Sequence, residues 1–194
     1  MTGAFAAVRK QQEQQQNQKH NGRGSGGGVR PGTREHRVKV ADFAAAGAGT
    51  VLSTIGLGSC VAIVLHDAAA RVGALAHVLL PEQSLSRDTA NPGKFPQTVL
   101  PLLLEELRKL GSRGGAGALT ARIAGGASMF SQLLPAGGIN MGERNVDATR
   151  RVLERAKIRV AAEDTGGDYG RSVFFDVGEG SVLVRSLRRG DRTL

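Results

Sequence analysis

Two residues of this sequence, Cys60 and His77, have the types and the spacing that a thiol-based catalyst requires. Cys60 is the single cysteine, and His77 is one of four histidines. They lie in two short apolar runs, 60–65 and 72–80, which are rich in Val, Leu and Ala and are bounded by turn residues. Runs of this length and composition predict two buried strands joined by a turn.

The turn between the two runs decides how the strands pair. We expect Asp67 to pair with Ala70, which places Cys60 directly opposite His77 on one face of the sheet, with Cβ atoms about 5 Å apart. A slip of one residue would send the two side chains to opposite faces. At the expected distance the imidazole lowers the pKa of the thiol and transfers protons during nucleophilic attack.

The residues before the cysteine add two further features. Gly58 and Ser59 belong to a turn whose backbone can approach a substrate closely and offer N–H groups to a developing oxyanion, so we predict that both bind substrate. Thr54 lies on the preceding strand, six residues before Cys60. Its hydroxyl is expected to orient His77, as the third member of a catalytic triad does.

Each of these residues also has a purely structural interpretation. A lone cysteine in an apolar run is most often an inert part of the core, and a histidine between Ala76 and Val78 is most often a hydrogen-bonded core residue. The spacing by itself names no substrate. The residues alone therefore leave the catalytic and the structural interpretation open.

Composition excludes several classes of protein. One cysteine cannot form an internal disulfide. The absence of disulfides is typical of proteins of the reducing cytoplasm, and we expect this protein there. One cysteine and four histidines also exclude a zinc site with several Cys ligands. No run of about 18 apolar residues is present, so we predict no membrane insertion.

The first 37 residues differ in composition from the rest. They hold a Gln-rich run at 11–18 and a Gly-rich run at 22–28, with seven Lys or Arg residues against two Glu. Such a segment buries too little apolar area to offset its ordering entropy, so we predict a disordered basic arm over 1–37 and a folded domain over 38–194. Without aromatic platforms or a nucleic-acid motif beside it, the basic charge does not indicate nucleic-acid binding.

The remaining pattern mixes strands with two helices. Besides the two buried runs, strands are predicted at 38–40, 50–54, 119–124 and 158–162, with a hairpin formed by 172–177 and 181–186. An apolar stripe predicts a helix over 98–110, and Asn145 is expected to cap a second helix that ends near Ala156. This order of elements predicts an α+β fold with mixed or antiparallel sheets.

Seven stretches of the sequence together resemble a known family. They are TIGLGSCVA (54–62), GALAHVLLP (73–81), PGKF (92–95), AGGASMF (124–130), INMGERNV (139–146), AEDTGG (162–167) and GRSV (170–173). In this order they resemble the motifs of the CheD family of chemoreceptor glutamine deamidases, over about residues 38–186. Phe95 stands where that family often has Tyr, and the arm over 1–37 is not part of its pattern.

The resemblance implies a fold, a reaction and a site. The fold would be similar to that of bacterial toxin deamidases, with packed sheets flanked by helices, and the triad would consist of Cys60, His77 and Thr54. The reaction would convert Gln side chains of methyl-accepting chemotaxis receptors to Glu, by thiolate attack, release of ammonia and hydrolysis of a thioester. The resemblance implies neither a metal nor an organic cofactor.

Two other functions remain as alternatives. An adaptor that binds a CheC-type response-regulator phosphatase needs no active thiol, and this role can coexist with deamidation. In that case the partner would occlude the catalytic cleft, so we expect partner and receptor to compete. A protease would use the same chemistry, but the resemblance favours side-chain amides over backbone amides.

Overall fold

Two five-stranded β-sheets pack face to face, and two helices cover the outer side of the second sheet. This computed structural model describes residues 32–114, 117–128 and 140–194. The first sheet contains, in spatial order, β1 (Arg34–Arg37), β3 (Thr50–Leu57), β8 (Arg171–Asp176), β9 (Ser181–Ser186) and β10 (Gly190–Thr193). The second contains β2 (Phe43–Gly47), β5 (Val72–Val78), β4 (Val61–Asp67), β6 (Leu119–Gly125) and β7 (Arg159–Thr165). The helices are α1 (Pro96–Lys109) and α2 (Met141–Arg155), and short 3-10 turns lie at Gln83–Leu85 and Pro92–Lys94.

The predicted α+β class, with mixed sheets packed together and flanked by helices, is confirmed. Strand β1 runs parallel to β3 and β6 runs parallel to β7, whereas the other neighbours in both sheets are antiparallel. The hairpin of β8 and β9 is present as the sequence predicts.

Strands β4 and β5 are buried on both faces, which explains their nearly continuous apolar sequences. Odd-numbered residues of β4, such as Ile63, pack in the cluster beneath the helices together with Leu103. Even-numbered residues, such as Val64, lie between the two sheets together with Phe175. Burial of each such large apolar side chain contributes about 1.5–3 kcal/mol, so these strands anchor both layers of the core.

The predicted pairing of the β4–β5 hairpin is wrong by two residues. Asp67 pairs with Val72 rather than with Ala70, and His77 pairs with Ala62. The side chain of Asp67 accepts a hydrogen bond from the Ala70 amide at 3.0 Å, and Arg71 adopts a φ of 53°. This turn keeps Ala70 and Arg71 out of the ladder, so pairing on β5 begins two residues later than predicted.

The two helices begin before the residues predicted for them. Helix α1 begins at Pro96 rather than at residue 98, so Pro101 lies inside it, on the exposed face. Helix α2 is capped by Asn140, whose side chain accepts from the Glu143 amide at 3.2 Å. Asn145 is therefore not the cap that we predicted, but a buried residue inside the helix.

The start of the folded domain also differs from the prediction. The strand expected at 38–40 is absent there, and β1 lies at Arg34–Arg37 instead, paired in parallel with β3. The fold therefore reaches into the last residues of the segment assigned to the arm. Residues 1–31 lie outside the described residues, so the prediction of a disordered arm remains a prediction for them.

Candidate active site

Thr54, Cys60 and His77 lie on the inward side of the two sheets, near the same end of the layer between them. Thr54 comes from β3 of the first sheet and His77 from β5 of the second, while Cys60 directly precedes β4. Thr54 and His77 are fully buried, and 9% of the Cys60 surface is exposed. The three predicted catalytic residues thus come from two strands and from the turn that leads into a third.

A β-bulge in β3 leads the chain from Thr54 towards the cysteine. The register of β3 against β8 shifts between Ile55 and Leu57. Gly56, the residue between them, has a φ of 83°, which glycine adopts without the steric penalty of a side chain. The extra residue turns Leu57 into the layer between the sheets and directs the chain towards Cys60.

A hydrogen-bond chain fixes the orientation of the imidazole. The Thr54 hydroxyl lies 2.7 Å from Nδ1 of His77 and donates to the backbone carbonyl of Val38 at 2.9 Å. The hydroxyl has a single hydrogen, and the carbonyl can only accept. Nδ1 must therefore carry the imidazole proton and donate it to Thr54, which leaves Nε2 as an unprotonated acceptor.

Nε2 of His77 is the atom available for proton transfer. It is buried and has no hydrogen-bond partner among the described residues. His77 pairs with Ala62, and Cys60 packs with Ala62 in the cluster between the sheets, so Cys60 and His77 face the same layer. Cys60 is therefore not directly opposite His77, as we predicted, but the shift by two residues keeps both side chains in one layer.

Both reacting groups are neutral at rest. Burial raises the pKa of the Cys60 thiol, an effect that the backbone amide of the same residue partly offsets. Burial lowers the pKa of His77 from 6.5 to about 4. Near pH 7 the pair is thus a thiol and a neutral imidazole, so the nucleophile must form by transfer of the thiol proton to Nε2 during the reaction.

Backbone hydrogen bonds hold the turn that carries the cysteine. The Gly58 carbonyl accepts from the Ala127 amide at 2.7 Å, and the Cys60 carbonyl accepts from the Gly126 amide at 2.8 Å. Gly125 has a φ of 116°, and a Cβ there would collide with the Cys60 carbonyl oxygen. Only glycine permits this close approach of two backbones, so β6 serves as a fixed support for the turn.

Asn145 is a residue of the site that sequence reasoning missed. Its amide nitrogen donates to the Ser59 carbonyl at 2.8 Å and to the Leu79 carbonyl at 3.1 Å. It thereby joins the turn before Cys60 to the residues that follow β5. No local signal in the sequence distinguishes this role from that of a helix cap, because both use a polar residue near the start of a helix.

The two residues predicted to bind substrate, Gly58 and Ser59, are both partly exposed. They directly precede the nearly buried Cys60 in the chain. The substrate contacts themselves remain a prediction.

No group of three or more His, Cys, Asp and Glu side chains that could hold a metal ion occurs within residues 32–114, 117–128 and 140–194. Among the helices in those ranges, none is long and apolar enough to cross a membrane.

Comparison with known proteins identifies the family. The family model described as CheD chemotactic sensory transduction matches residues 79–186. A probable chemoreceptor glutamine deamidase CheD of Desulforamulus reducens is 40% identical over 156 residues, which cover 80% of this chain and 93% of that protein. The chain belongs to the CheD family. The chemoreceptor glutamine deamidase CheD of Thermotoga maritima is 44% identical over 142 residues, which cover 73% of this chain and 85% of that protein, and a probable CheD of Pyrococcus abyssi is 42% identical over 158 residues, which cover 81% of this chain and 95% of that protein.

The CheD family model begins at residue 79, after Thr54, Cys60 and His77. The assignment of those three residues as a triad therefore depends on their geometry and on their own motifs.

Proposed function

We propose that this protein is a protein-glutamine deamidase that converts Gln side chains of methyl-accepting chemotaxis receptors to Glu. The observation that carries the proposal is the Thr54–His77 hydrogen bond between the two sheets, which leaves Nε2 as an unprotonated acceptor in the layer where the only cysteine of the chain also packs. The names of the CheD relatives support the choice of a chemoreceptor glutamine as substrate.

The first half of the reaction forms a thioester. Nε2 of His77 takes the proton of the Cys60 thiol, and the sulfur attacks the carbon of the substrate carboxamide. The carbonyl oxygen gains a negative charge as the tetrahedral intermediate forms. His77 then donates its new proton to the carboxamide nitrogen, the C–N bond breaks, and ammonia leaves.

The second half restores the enzyme. Nε2 of His77 takes a proton from water, the hydroxide attacks the thioester carbon, and the C–S bond breaks. The thiolate of Cys60 recovers its proton from His77, and the substrate leaves with a Glu side chain. Throughout both halves Thr54 holds Nδ1, so the imidazole exchanges protons through one nitrogen and does not rotate.

The backbone amide of Cys60 is the group placed to stabilise the oxyanion. It belongs to the same residue as the sulfur, so it lies close to the carbonyl group that the sulfur attacks. A backbone N–H in a fixed position stabilises developing charge at no cost of reorganisation. Gly58 and Ser59, at the surface beside it, contact the main chain of the substrate.

Mass spectrometry of coexpressed receptor fragments tests this function. Cytoplasmic fragments of a chemoreceptor, coexpressed with the protein, should gain the small mass increase that accompanies exchange of NH2 for OH at specific glutamines. Coexpression with the Cys60→Ala variant is the control and should leave every glutamine intact. Conversion that persists in the control, or backbone cleavage in place of side-chain conversion, would refute the proposal.

A CheC-type response-regulator phosphatase is the second partner that we propose, together with the cytoplasm as the compartment, where the thiol of Cys60 stays reduced. Binding of this partner needs no thiol, so the Cys60→Ala variant should bind it as well as the wild type in a pull-down. Addition of the partner should lower the rate of receptor deamidation if both occupy the same cleft, and an unchanged rate would contradict shared occupancy.

A further inference from the structure

Asn145 lies fully buried in α2, and its side chain contacts the backbone on both sides of the reacting pair. Both hydrogens of its amide nitrogen are used, one towards the Ser59 carbonyl at 2.8 Å and one towards the Leu79 carbonyl at 3.1 Å. The other end of the same amide, Oδ1, is buried without a hydrogen-bond partner among the described residues. The donor end of the side chain is therefore the end that the fold uses.

The Ser59 carbonyl belongs to the same peptide unit as the N–H of Cys60. In a planar trans peptide the C=O and the N–H point in opposite directions. A hydrogen bond that draws the Ser59 carbonyl towards α2 therefore turns the Cys60 N–H away from the helix.

We propose that Asn145 is a positioning residue for the oxyanion hole, because its bond to the Ser59 carbonyl holds the Ser59–Cys60 peptide with the Cys60 N–H free to donate to the negatively charged oxygen of the intermediate. Through Leu79 the same side chain also fixes this peptide relative to the strand of His77. The inference rests on the proposed deamidase function, since only a reaction with an oxyanion needs this N–H.

A packing role alone does not account for the side chain. Asn140, and not Asn145, caps the helix. A buried amide with an unpartnered oxygen costs free energy that an apolar side chain of the same volume would not. The two hydrogen bonds to the backbone beside Cys60 and His77 are what the amide adds in return.

Two reactions of the same cysteine separate oxyanion stabilisation from thiol reactivity. Acylation by p-nitrophenyl acetate passes through a tetrahedral oxyanion, whereas alkylation by iodoacetamide does not. Because Cys60 is the single cysteine, both reactions report on one atom, with Cys60→Ala as the blank. Neither probe requires a receptor, so the test is independent of the physiological substrate.

We expect Asn145→Ala to lower both the acylation rate and kcat for receptor fragments by roughly 10²-fold, as loss of an oxyanion donor does. KM should stay close to that of the wild type, and the iodoacetamide rate should stay within about 3-fold at each pH, because the thiol pKa depends mainly on burial. Asn145→Leu, which has a similar volume and removes both donated hydrogens without burying a carboxylate against two carbonyl oxygens, should show the same pattern and serves if the Ala variant unfolds.

Asn140→Ala is the matched control, since it removes the hydrogen bond with the Glu143 amide that caps the same helix. It should lower the melting temperature and leave the ratio of acylation to alkylation unchanged. Equal losses in acylation and alkylation for Asn145→Ala, or the same loss in Asn140→Ala, would overturn the positioning role. Wild-type protein that is acylated by p-nitrophenyl acetate but converts no receptor glutamine would refute the proposed function. The effect of Asn145→Ala on acylation would still decide the positioning role.

Discussion

The hydroxyl of Thr54 and Nδ1 of His77 meet at 2.7 Å across the interface between the two sheets. The hydroxyl donates its hydrogen bond to the Val38 carbonyl, so the chain of hydrogen bonds ends at a backbone group. A neutral threonine can therefore do what a carboxylate does in many triads, namely fix one tautomer. It does not add a negative charge that would raise the pKa of the imidazole.

Removal of the Thr54 hydroxyl should impair catalysis more than folding. In Thr54→Val the buried Nδ1 hydrogen of His77 loses its acceptor. An unsatisfied buried donor costs about 1–3 kcal/mol of free energy. If the tautomer is no longer fixed, the same amount added to the activation free energy corresponds to roughly a 10- to 100-fold loss of kcat. Ammonia release from receptor fragments measures the effect. Thr54→Ser retains the hydroxyl and should retain most of the activity, so equal activity of the Val and Ser variants would contradict the role of Thr54.

The buried His77 should make the fold sensitive to acid. Its pKa is about 4 in the folded state, against 6.5 as the ordinary value. Between these values the unfolded chain binds a proton that the folded chain does not, so stability is full above about pH 6.5 and falls as the pH drops towards 4. The loss attributable to His77 should reach about 2–3 kcal/mol by pH 4.5.

Urea unfolding at pH 7.5 and 4.5 measures this dependence. His77→Asn can keep a donor to Thr54 but carries no titrating nitrogen, so its stability should fall much less over the same range. Burial also lowers the pKa of His66, so a smaller acid sensitivity should persist in this variant. An identical fall in the wild type and in His77→Asn would contradict the assignment.

A methyl group at Gly125 should disturb the turn of the nucleophile. A Cβ there would collide with the carbonyl oxygen of Cys60, whereas a Cβ at Gly166, which also has a positive φ of 75°, would meet open space. Gly166→Ala therefore bears only backbone strain, about 1–2 kcal/mol. Gly125→Ala should destabilise the protein by at least about 2 kcal/mol more and lower kcat as well. Similar stability and activity of the two variants, measured side by side, would count against the support that β6 gives to Cys60.

The ion pair of Arg171 with Asp164 should matter for stability, whereas an exposed pair should not. Arg171 has no exposed side-chain surface, and its guanidinium lies 2.8 Å from the Asp164 carboxylate. Asp164→Asn leaves this cation buried without a charged partner, which should cost roughly 3 kcal/mol in urea unfolding. Asp168→Asn breaks the pair with Arg188, where both side chains are more than half exposed, and should change stability by less than about 1 kcal/mol. Equal effects of the two substitutions would show that burial does not decide the outcome.

Local patterns predicted most of the strands, because apolar runs and turn residues are written directly in the sequence. Strand β10 was missed since its residues are polar and exposed, and they give no alternation to detect. The pairing of His77 was missed because the turn at Arg71 adopts a positive φ, which nothing in Ala68-Ala69-Ala70-Arg71 indicates. An error of two residues keeps the predicted face, so Cys60 and His77 still face one layer, while their association in a catalytic pair stays a prediction.

Long-range contacts of single side chains were beyond the reach of such patterns. The bond from Asn145 to Ser59 joins residues 86 positions apart. The group of Val38 that accepts from Thr54 is a backbone carbonyl, which every residue has, so the residue type does not indicate this contact. The proposed triad could be predicted from the sequence because its three side chains have the types that nucleophilic chemistry requires. The groups that orient it became visible only once the two sheets were in place.

Because the proposed triad draws on both sheets, we expect activity to arise only late in folding. Each sheet can form its own ladders, yet neither alone contains both Thr54 and His77. In a partly folded chain whose sheets are loosely packed, the Cys60 thiol would have no oriented base. Such a chain should not deamidate glutamines of the proteins around it. Cys60 would therefore gain an oriented base only when the two sheets have packed together.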